Sequence, residues 1–267
     1  MNLASLAKRA NKFGEYSQHQ KFFASLFYKK ATESGEKATK RKMERIGVVI
    51  VAGGSGRRMG AAVPKQFLRL GGEYILVRTL RRFLPVAQQV VVVLPEAEIG
   101  RWEAIVEECG LGGTHSVVAG GATRFESVRN GLGALQGCDL VAIHDGVRPL
   151  VSAEMIARGV ECARRWGAAI PTVAAVDSFR VEEQGKLTVI DRNRLRAVQT
   201  PQIFSAELLR HAYDCEPSDR FTDDATVVEA TGVEMHYYEG ERTNIKITTP
   251  EDILIAEALV CRTSPVL

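Results

Sequence analysis

An α/β fold on an open, mostly parallel sheet with helices on both faces is what the sequence predicts from residue 46 onward. Short β-branched runs alternate with longer amphipathic ones, as in successive βα units. Several of the short runs are apolar at every position, as strands covered on both faces must be. A glycine-rich turn follows the first of them, where an open α/β sheet binds ligands outside its strand ends.

The elements follow in order. Residues 46–52 read as the first strand and 74–84 as a helix. Strand 90–94 precedes helix 96–109, and strand 116–118 precedes helix 123–135. Thr123 with Glu126 three residues on has the form of a capping box. Strand 140–143, helix 153–166 and strand 168–173 continue the alternation. Helices at 206–213 and 250–259 complete it, with Pro250 suited to a first helical turn. One segment breaks the pattern: 176–189 reads as two strands about a Glu-Gln-Gly-Lys turn, a hairpin with no place in the sheet.

The 267 residues carry a net charge of +3, but it is unevenly spread. Residues 1–45 hold eleven Lys or Arg against four Glu, which leaves 24 basic and 28 acidic residues in the remainder, a formal −4. The two expected domains are therefore a basic, disordered extension over 1–45 and a folded body over 46–262. The extension is expected to be dispensable. Organelle targeting is the alternative, disfavoured by its four Glu, and Met43 is an alternative start. The extension lacks an aromatic platform or groove-reading motif, so nucleic acid is not an expected partner. The longest apolar run, ending at Leu94, is of strand length, and no membrane span is expected. Five cysteines (109, 138, 162, 215 and 261) form no C-x-x-C pair or zinc spacing, and are read as reduced, cytosolic and mostly buried.

The turn Gly53-Gly54-Ser55-Gly56-Arg57-Arg58-Met59-Gly60, followed by Pro64-Lys65-Gln66, lets backbone N–H groups approach phosphate oxygens with no Cβ in the way. A P-loop would need Lys and then Ser or Thr after its second glycine, and neither is present. A dinucleotide fingerprint fits Gly54 and Gly56 but meets Met59 at its third glycine, and the nearest acid, Glu73, opens a helix. An NAD(P) oxidoreductase is thereby disfavoured. A nucleotidyltransferase loop fits better, with Arg58 and Lys65 as fixed cations for the charge that develops at an α-phosphate. A nucleotide sensor would not need so many cations. Asp145 and Arg148 stand beyond strand 140–143, at a strand end where an open α/β sheet binds its ligand. His144 reads as a packed residue. Asp223-Asp224 could be a metal pair but more plainly caps a helix.

These segments resemble the 2-C-methyl-D-erythritol 4-phosphate cytidylyltransferase family. The resemblance is carried by residues 52–60 and 64–66, then by Gly120–Val128, His144–Pro149, Asp191-Arg192-Asn193, Gln199–Gln202, Phe221–Asp224 and Asn244-Ile245-Lys246, in order. It implies a Rossmann-like sheet with a projecting β-arm over about 176–200, and transfer of CMP from CTP to methylerythritol phosphate with release of pyrophosphate. Ribitol-5-phosphate cytidylyltransferase is the nearest alternative. The resemblance further implies that Arg58, Lys65, Arg192 and Lys246 are catalytic. Ala52, Gly53, Gly54 and Gly56 would line the triphosphate; Gly121, Arg124, Ser127 and Asp145 would complete the nucleotide site. Asp145, Arg148, Ser178, Arg192, Thr200, Thr222 and Lys246 would hold the polyol phosphate. Ser178 stands where the family usually has Thr. Magnesium bound mainly through the CTP phosphates, a homodimer joined by the β-arm, and a cytoplasmic location are implied as well; protein ligands of the metal are not.

Overall fold

The computed structural model describes residues 44–53 and 63–263. The extension over 1–43, the alternative start at Met43, and Gly54, Gly56 and Arg58 lie outside the described residues. The chain divides into Met1–Met43 and Glu44–Leu267, and all described elements belong to the second unit.

Strand β1 (Ile46–Val51) leads to a 3-10 turn (Lys65–Phe67) and the short pair β2 (Arg69–Leu70) and β3 (Glu73–Tyr74). Helix α1 (Ile75–Phe83), β4 (Gln89–Leu94), a 3-10 turn (Glu96–Glu98), α2 (Ile99–Glu108), β5 (Ser116–Ala119), α3 (Arg124–Ala134), β6 (Leu140–Asp145), α4 (Ala153–Trp166) and β7 (Ala168–Ala174) follow. The hairpin is β8 (Phe179–Glu183) and β9 (Lys186–Ile190), followed by a 3-10 turn (Arg192–Arg194) and β10 (Arg196–Val198). Then come β11 (Gln202–Ser205), α5 (Ala206–Tyr213), α6 (Asp224–Glu229), β12 (His236–Glu239) and α7 (Pro250–Thr263).

The main sheet runs β10-β7-β11-β6-β1-β4-β5, with β12 also on β7. Strands β6, β1, β4 and β5 are mutually parallel, as the covered apolar runs require, and β12 is parallel to β7. Strand β11, absent from the sequence expectation, wedges antiparallel between β6 and β7. Its four residues are too few to show a period. β6 reaches two residues further than expected, so His144 and Asp145 end the strand instead of following it.

Period-2 alternation divides the core. Val49, Val91, Val93, Val141, Ile143 and Phe204 face one cluster with Phe125, Val128 and Leu132 of α3, Leu209 and Tyr213 of α5, and Val227 and Val228 of α6. Their sequence neighbours Val48, Ile50, Val92 and Ala142, also buried, face the other way. The expected capping box is present: Thr123 accepts from Glu126 N–H while the Glu126 carboxylate accepts from Thr123 N–H.

Among the described residues the hairpin pairs only with itself, and Phe179, Val181, Leu187 and Val189 are exposed. Gln184 (φ 51°) and Gly185 (φ 76°) supply the two left-handed positions that match a tight turn to strand twist. The cysteines correct the expectation that most are buried: Cys109, Cys138 and Cys162 are half-buried, and Cys215 and Cys261 exposed. Among the described residues no helix is long and apolar enough to cross a membrane.

Candidate active site

The loops that leave the sheet at the C-terminal ends of β1, β5 and β6 are tied to neighbouring strands. Ala52 N–H donates to Val93 O (2.9 Å), Gly120 N–H to Leu94 O (2.8 Å) and Gly146 N–H to Val51 O (2.8 Å). A Cβ on Gly146 would stand 2.8 Å from the Ala52 Cβ, so the ends of β1 and β6 approach too closely for a larger residue without a shift. Gly53 opens outward, and a Cβ there would be 3.8 Å from Ser127 Oγ. Ser127 Oγ accepts from Gly121 N–H (3.1 Å) and donates to Thr123 O (2.8 Å), holding the turn into α3 against its own first helical residues. Ala52, Gly53, Gly121 and Ser127 therefore border one rim. Lys65 opens its 3-10 turn on the same chain segment, and buried Gln66 donates to Ala52 O (2.9 Å), fixing that turn to the end of β1.

Asp145, the last residue of β6, is 7% exposed and faces three cations. Its Oδ2 lies 3.1 Å from Lys246 Nζ and accepts from Arg148 Nε at 3.1 Å; its Oδ1 is 4.0 Å from Arg124 Nη2. Burial pushes the carboxyl up, but Lys246, then Arg124 and Arg148, hold it well below the usual carboxylate range. Asp145 does not cap the following helix, a task that falls to Ser152, whose Oγ accepts from Met155 N–H. With Arg124 also paired to Asp224, two carboxylates face three cations, and the remaining positive charge attracts a polyanion.

A buried polar frame sets this cluster. Asn244 Nδ2 donates to Thr200 O (2.9 Å), and Arg148 Nη1 to Asn244 O (2.8 Å). Gln199 Oε1 accepts from Glu241 N–H (3.1 Å), and its Nε2 donates to Glu241 O (2.8 Å). The segment carrying Lys246 is thus clamped to the link between β10 and β11. Thr200 Oγ1 accepts from Asp145 N–H (3.1 Å) and touches His144 Nδ1 at 3.1 Å. His144 is fully buried against Phe83, with ring centroids 4.7 Å apart, and burial lowers its pKa to about 4; it is the packed residue the sequence suggested.

Arg124 makes a bidentate pair with fully buried Asp224, which also accepts from Tyr213 OH (2.7 Å). Asp223 caps α6 through Thr226 N–H and accepts from Gln202 Nε2 (2.8 Å). The acidic pair is thereby spent on a cap and an arginine. Among the described residues no three His, Cys, Asp or Glu side chains converge on a possible metal position.

The structure thus brings Asp145, Arg148, Lys246, Thr200 and Arg124 together, with Gly121 and Ser127 on the adjoining rim. No described hydrogen bond or ion pair joins Ser178, Thr222 or Arg192, all exposed, to that cluster. Arg192 donates to Val176 O (3.0 Å) across the base of the hairpin, and no described hydrogen bond or ion pair joins it to Asp145. Gln66, Gln199, Gln202 and Asn244 had no role from sequence beyond a place in a motif, and Asp224 was read only with Asp223 as a helix cap or metal pair. Asp224 pairs with Arg124 one hundred positions away, a contact no local pattern encodes.

The model of the family described as IspD, 2-C-methyl-D-erythritol 4-phosphate cytidylyltransferase, matches residues 46–262. The chain is 48% identical over 215 residues to the 2-C-methyl-D-erythritol 4-phosphate cytidylyltransferase of Bacteroides fragilis, covering 79% of this chain and 98% of that one. It is 40% identical over 226 residues to the enzyme of that name from Clostridium botulinum, covering 81% and 100%. Its fold is similar to the crystal structure of 4-diphosphocytidyl-2C-methyl-D-erythritol synthase from Anaerococcus prevotii, with TM-score 0.70, 29% identity, and 82% and 99% of the chains covered. The corresponding Thermus thermophilus structure gives TM-score 0.65 at 35% identity, over 82% and 100%.

Proposed function

The chain belongs to the 2-C-methyl-D-erythritol 4-phosphate cytidylyltransferase family, and from that premise we infer how its site residues divide the work. It is a cytidylyltransferase that joins the CMP portion of CTP to 2-C-methyl-D-erythritol 4-phosphate, forming 4-diphosphocytidyl-2-C-methyl-D-erythritol for isoprenoid biosynthesis. The oxidoreductase reading of the glycine turn falls with this assignment.

A phosphate oxygen of the polyol phosphate attacks the α-phosphorus of CTP. The new P–O bond forms as the bond from that phosphorus to the bridging oxygen breaks, and pyrophosphate leaves with the electron pair. A phosphate monoester is largely a dianion near neutral pH, its second pKa being about 6, so no general base is required. The protein must bring two polyanions together and stabilise the charge that spreads over the transferring group. We assign Arg58 and Lys65 to the triphosphate and Lys246 and Arg192 to the attacking phosphate. Ala52, Gly53, Gly54 and Gly56 offer backbone approach to the triphosphate, and Gly121, Arg124 and Ser127 border the cytosine. Asp145, kept ionised by its cations, accepts from a hydroxyl, with Arg148, Thr200, Ser178 and Thr222 around the polyol. The observation that carries this reading is Asp145 at the end of β6, held between Lys246 and Arg148.

Magnesium would neutralise triphosphate charge. The described residues do not form a protein cage for it, because Asp145 is already paired and Asp223 and Asp224 are engaged elsewhere. We therefore propose that the ion arrives with the CTP phosphates. The exposed apolar side chains of the hairpin support a homodimer joined through this arm, since pairing would remove them from water. A cytoplasmic location is proposed on the five cysteines, which form no C-x-x-C pair and are read as reduced.

The test is a pyrophosphate-release assay crossing CTP, ATP, GTP and UTP with methylerythritol phosphate and ribitol 5-phosphate. Turnover is expected with CTP and methylerythritol phosphate. Faster turnover with ribitol 5-phosphate would shift the assignment to that polyol.

A further inference from the structure

The hydrogen-bond frame beneath Asp145 has a direction, and the direction can be derived. His144 Nε2 lies 3.1 Å from the Arg148 carbonyl oxygen. A carbonyl oxygen only accepts, so Nε2 carries the ring hydrogen; the opposite tautomer would set two lone pairs against each other. Burial disfavours the charged ring and outweighs the Arg148 carbonyl and Asp145, which favour it, while the Arg148 and Lys246 charges reinforce burial, so at neutral pH Nδ1 is a bare acceptor. Nδ1 lies 3.1 Å from Thr200 Oγ1. The single hydroxyl proton of Thr200 therefore points at His144. One Thr200 lone pair accepts the Asp145 N–H at 3.1 Å, which leaves one lone pair and no proton for any other partner.

We propose that His144 sets the hydrogen-bond polarity of Thr200, so that Thr200 meets the substrate as an acceptor only and selects a donating polyol hydroxyl over a phosphate oxygen. This rests on the placement of Thr200 beside the polyol phosphate in the function given above. His144 is then a positioning residue that acts through Thr200. The same bonds join the end of β6, the turn to Arg148 and the link between β10 and β11, so the polarity is built into the frame that holds Asp145. A phosphate oxygen ionised at neutral pH also only accepts, and placed on Thr200 it would leave a buried acceptor pair unbonded. The substrate is thereby oriented with its phosphate away from Thr200 and its carbon chain towards it.

The experiment has two parts. Side-chain 15N NMR of the unliganded wild-type protein reads the tautomer of His144 directly and needs no variant; Nε2 protonated and Nδ1 bare is expected. Steady-state kinetics then compare His144→Gln, Thr200→Val, Thr200→Ser and the double variant H144Q/T200V. A glutamine amide nitrogen can replace the Nε2 donor to Arg148 O, while the ring Nδ1 acceptor 3.1 Å from Thr200 Oγ1 is removed. H144Q and T200V are each expected to raise KM for methylerythritol phosphate about tenfold, the scale of one hydrogen bond, with KM for CTP within about twofold. T200S is expected to stay close to wild type, and the double variant to match T200V alone. An Nδ1-protonated or charged His144 at neutral pH would overturn the proposal. So would additive effects of the two substitutions, or equal rises in both KM values, which indicate general damage to the site. Wild-type turnover of methylerythritol phosphate in the same assay separates a failure of this proposal from a failure of the function beneath it.

Discussion

Arg124 and Asp224, one hundred residues apart, meet in two parallel hydrogen bonds of 3.0 and 2.7 Å, with Tyr213 OH on the same carboxylate. The pair fastens the start of α3 to the start of α6, so the rim that carries Gly121 and Ser127 is registered against the core rather than hung on a loop. Asp224→Ala leaves the guanidinium without its partner, and an unfolding free-energy loss of about 3 kcal/mol is expected, the lower end for breaking a buried pair. Tyr213→Phe keeps the ring stacked on Phe125 and removes only the hydroxyl, for a loss of about 1 kcal/mol. Urea unfolding of both variants checks the ranking; equal losses would mean that packing, not the ion pair, dominates.

Acid should weaken the fold in two stages. His144 has its pKa lowered to about 4 by burial, whereas an unfolded histidine titrates near 6.5. Between these values the unfolded chain takes a proton that the native chain refuses, so stability falls as pH drops from about 6.5 to about 4. The loss amounts to about 3 kcal/mol for His144. His115, lowered to about 4 by burial, acts in the same direction. Asp145 adds a second stage: its depressed pKa gives stability above the unfolded value near 3.9 that is lost as pH falls further. Denaturant titrations from pH 7 to 3 should show a falling unfolding free energy, with the upper stage reduced in His144→Gln.

Lys65→Ala and Arg58→Ala should each lower kcat about 100-fold while changing KM for CTP far less, because contacts to developing charge tighten in the transition state. Pyrophosphate-release kinetics at saturating substrate check this. An unchanged kcat in either variant removes that cation from the transition state.

Removal of residues 1–42 should leave kcat and the thermal midpoint nearly unchanged. Glu44, which pairs with Arg164 at 2.6 Å, is retained by that truncation, and the compact unit begins there. A thermal midpoint lower by more than a few degrees would show that the extension contributes to the fold.

Arg192 follows the hairpin by two residues, and no described hydrogen bond or ion pair joins it to the Asp145 cluster of its own subunit, which suits action on a partner's site. Mixing inactive Lys65→Ala and Arg192→Ala proteins under subunit exchange should restore one intact site in each mixed two-fold dimer. Exchange without recovered activity would place Arg192 in its own subunit's site.

The sequence by itself determined the parallel half of the sheet, because β1, β4 and the first four residues of β6 are almost wholly apolar and helix α1 between β1 and β4 has a clear 3.6 period. It also determined the cap at Thr123, the hairpin turn and the residues that surround Asp145, since each depends on neighbours within a few positions or on a motif that can be matched. Tertiary structure alone decided the insertion of β11 between β6 and β7, the return of β12 to β7, and the pairing of Arg124 with Asp224. It also decided that Gln199 and Asn244 frame the site and that His144 Nδ1 stands 3.1 Å from the Thr200 hydroxyl. Short strands have too few residues to reveal a period, and a buried polar group takes its meaning from a partner that only the folded chain supplies.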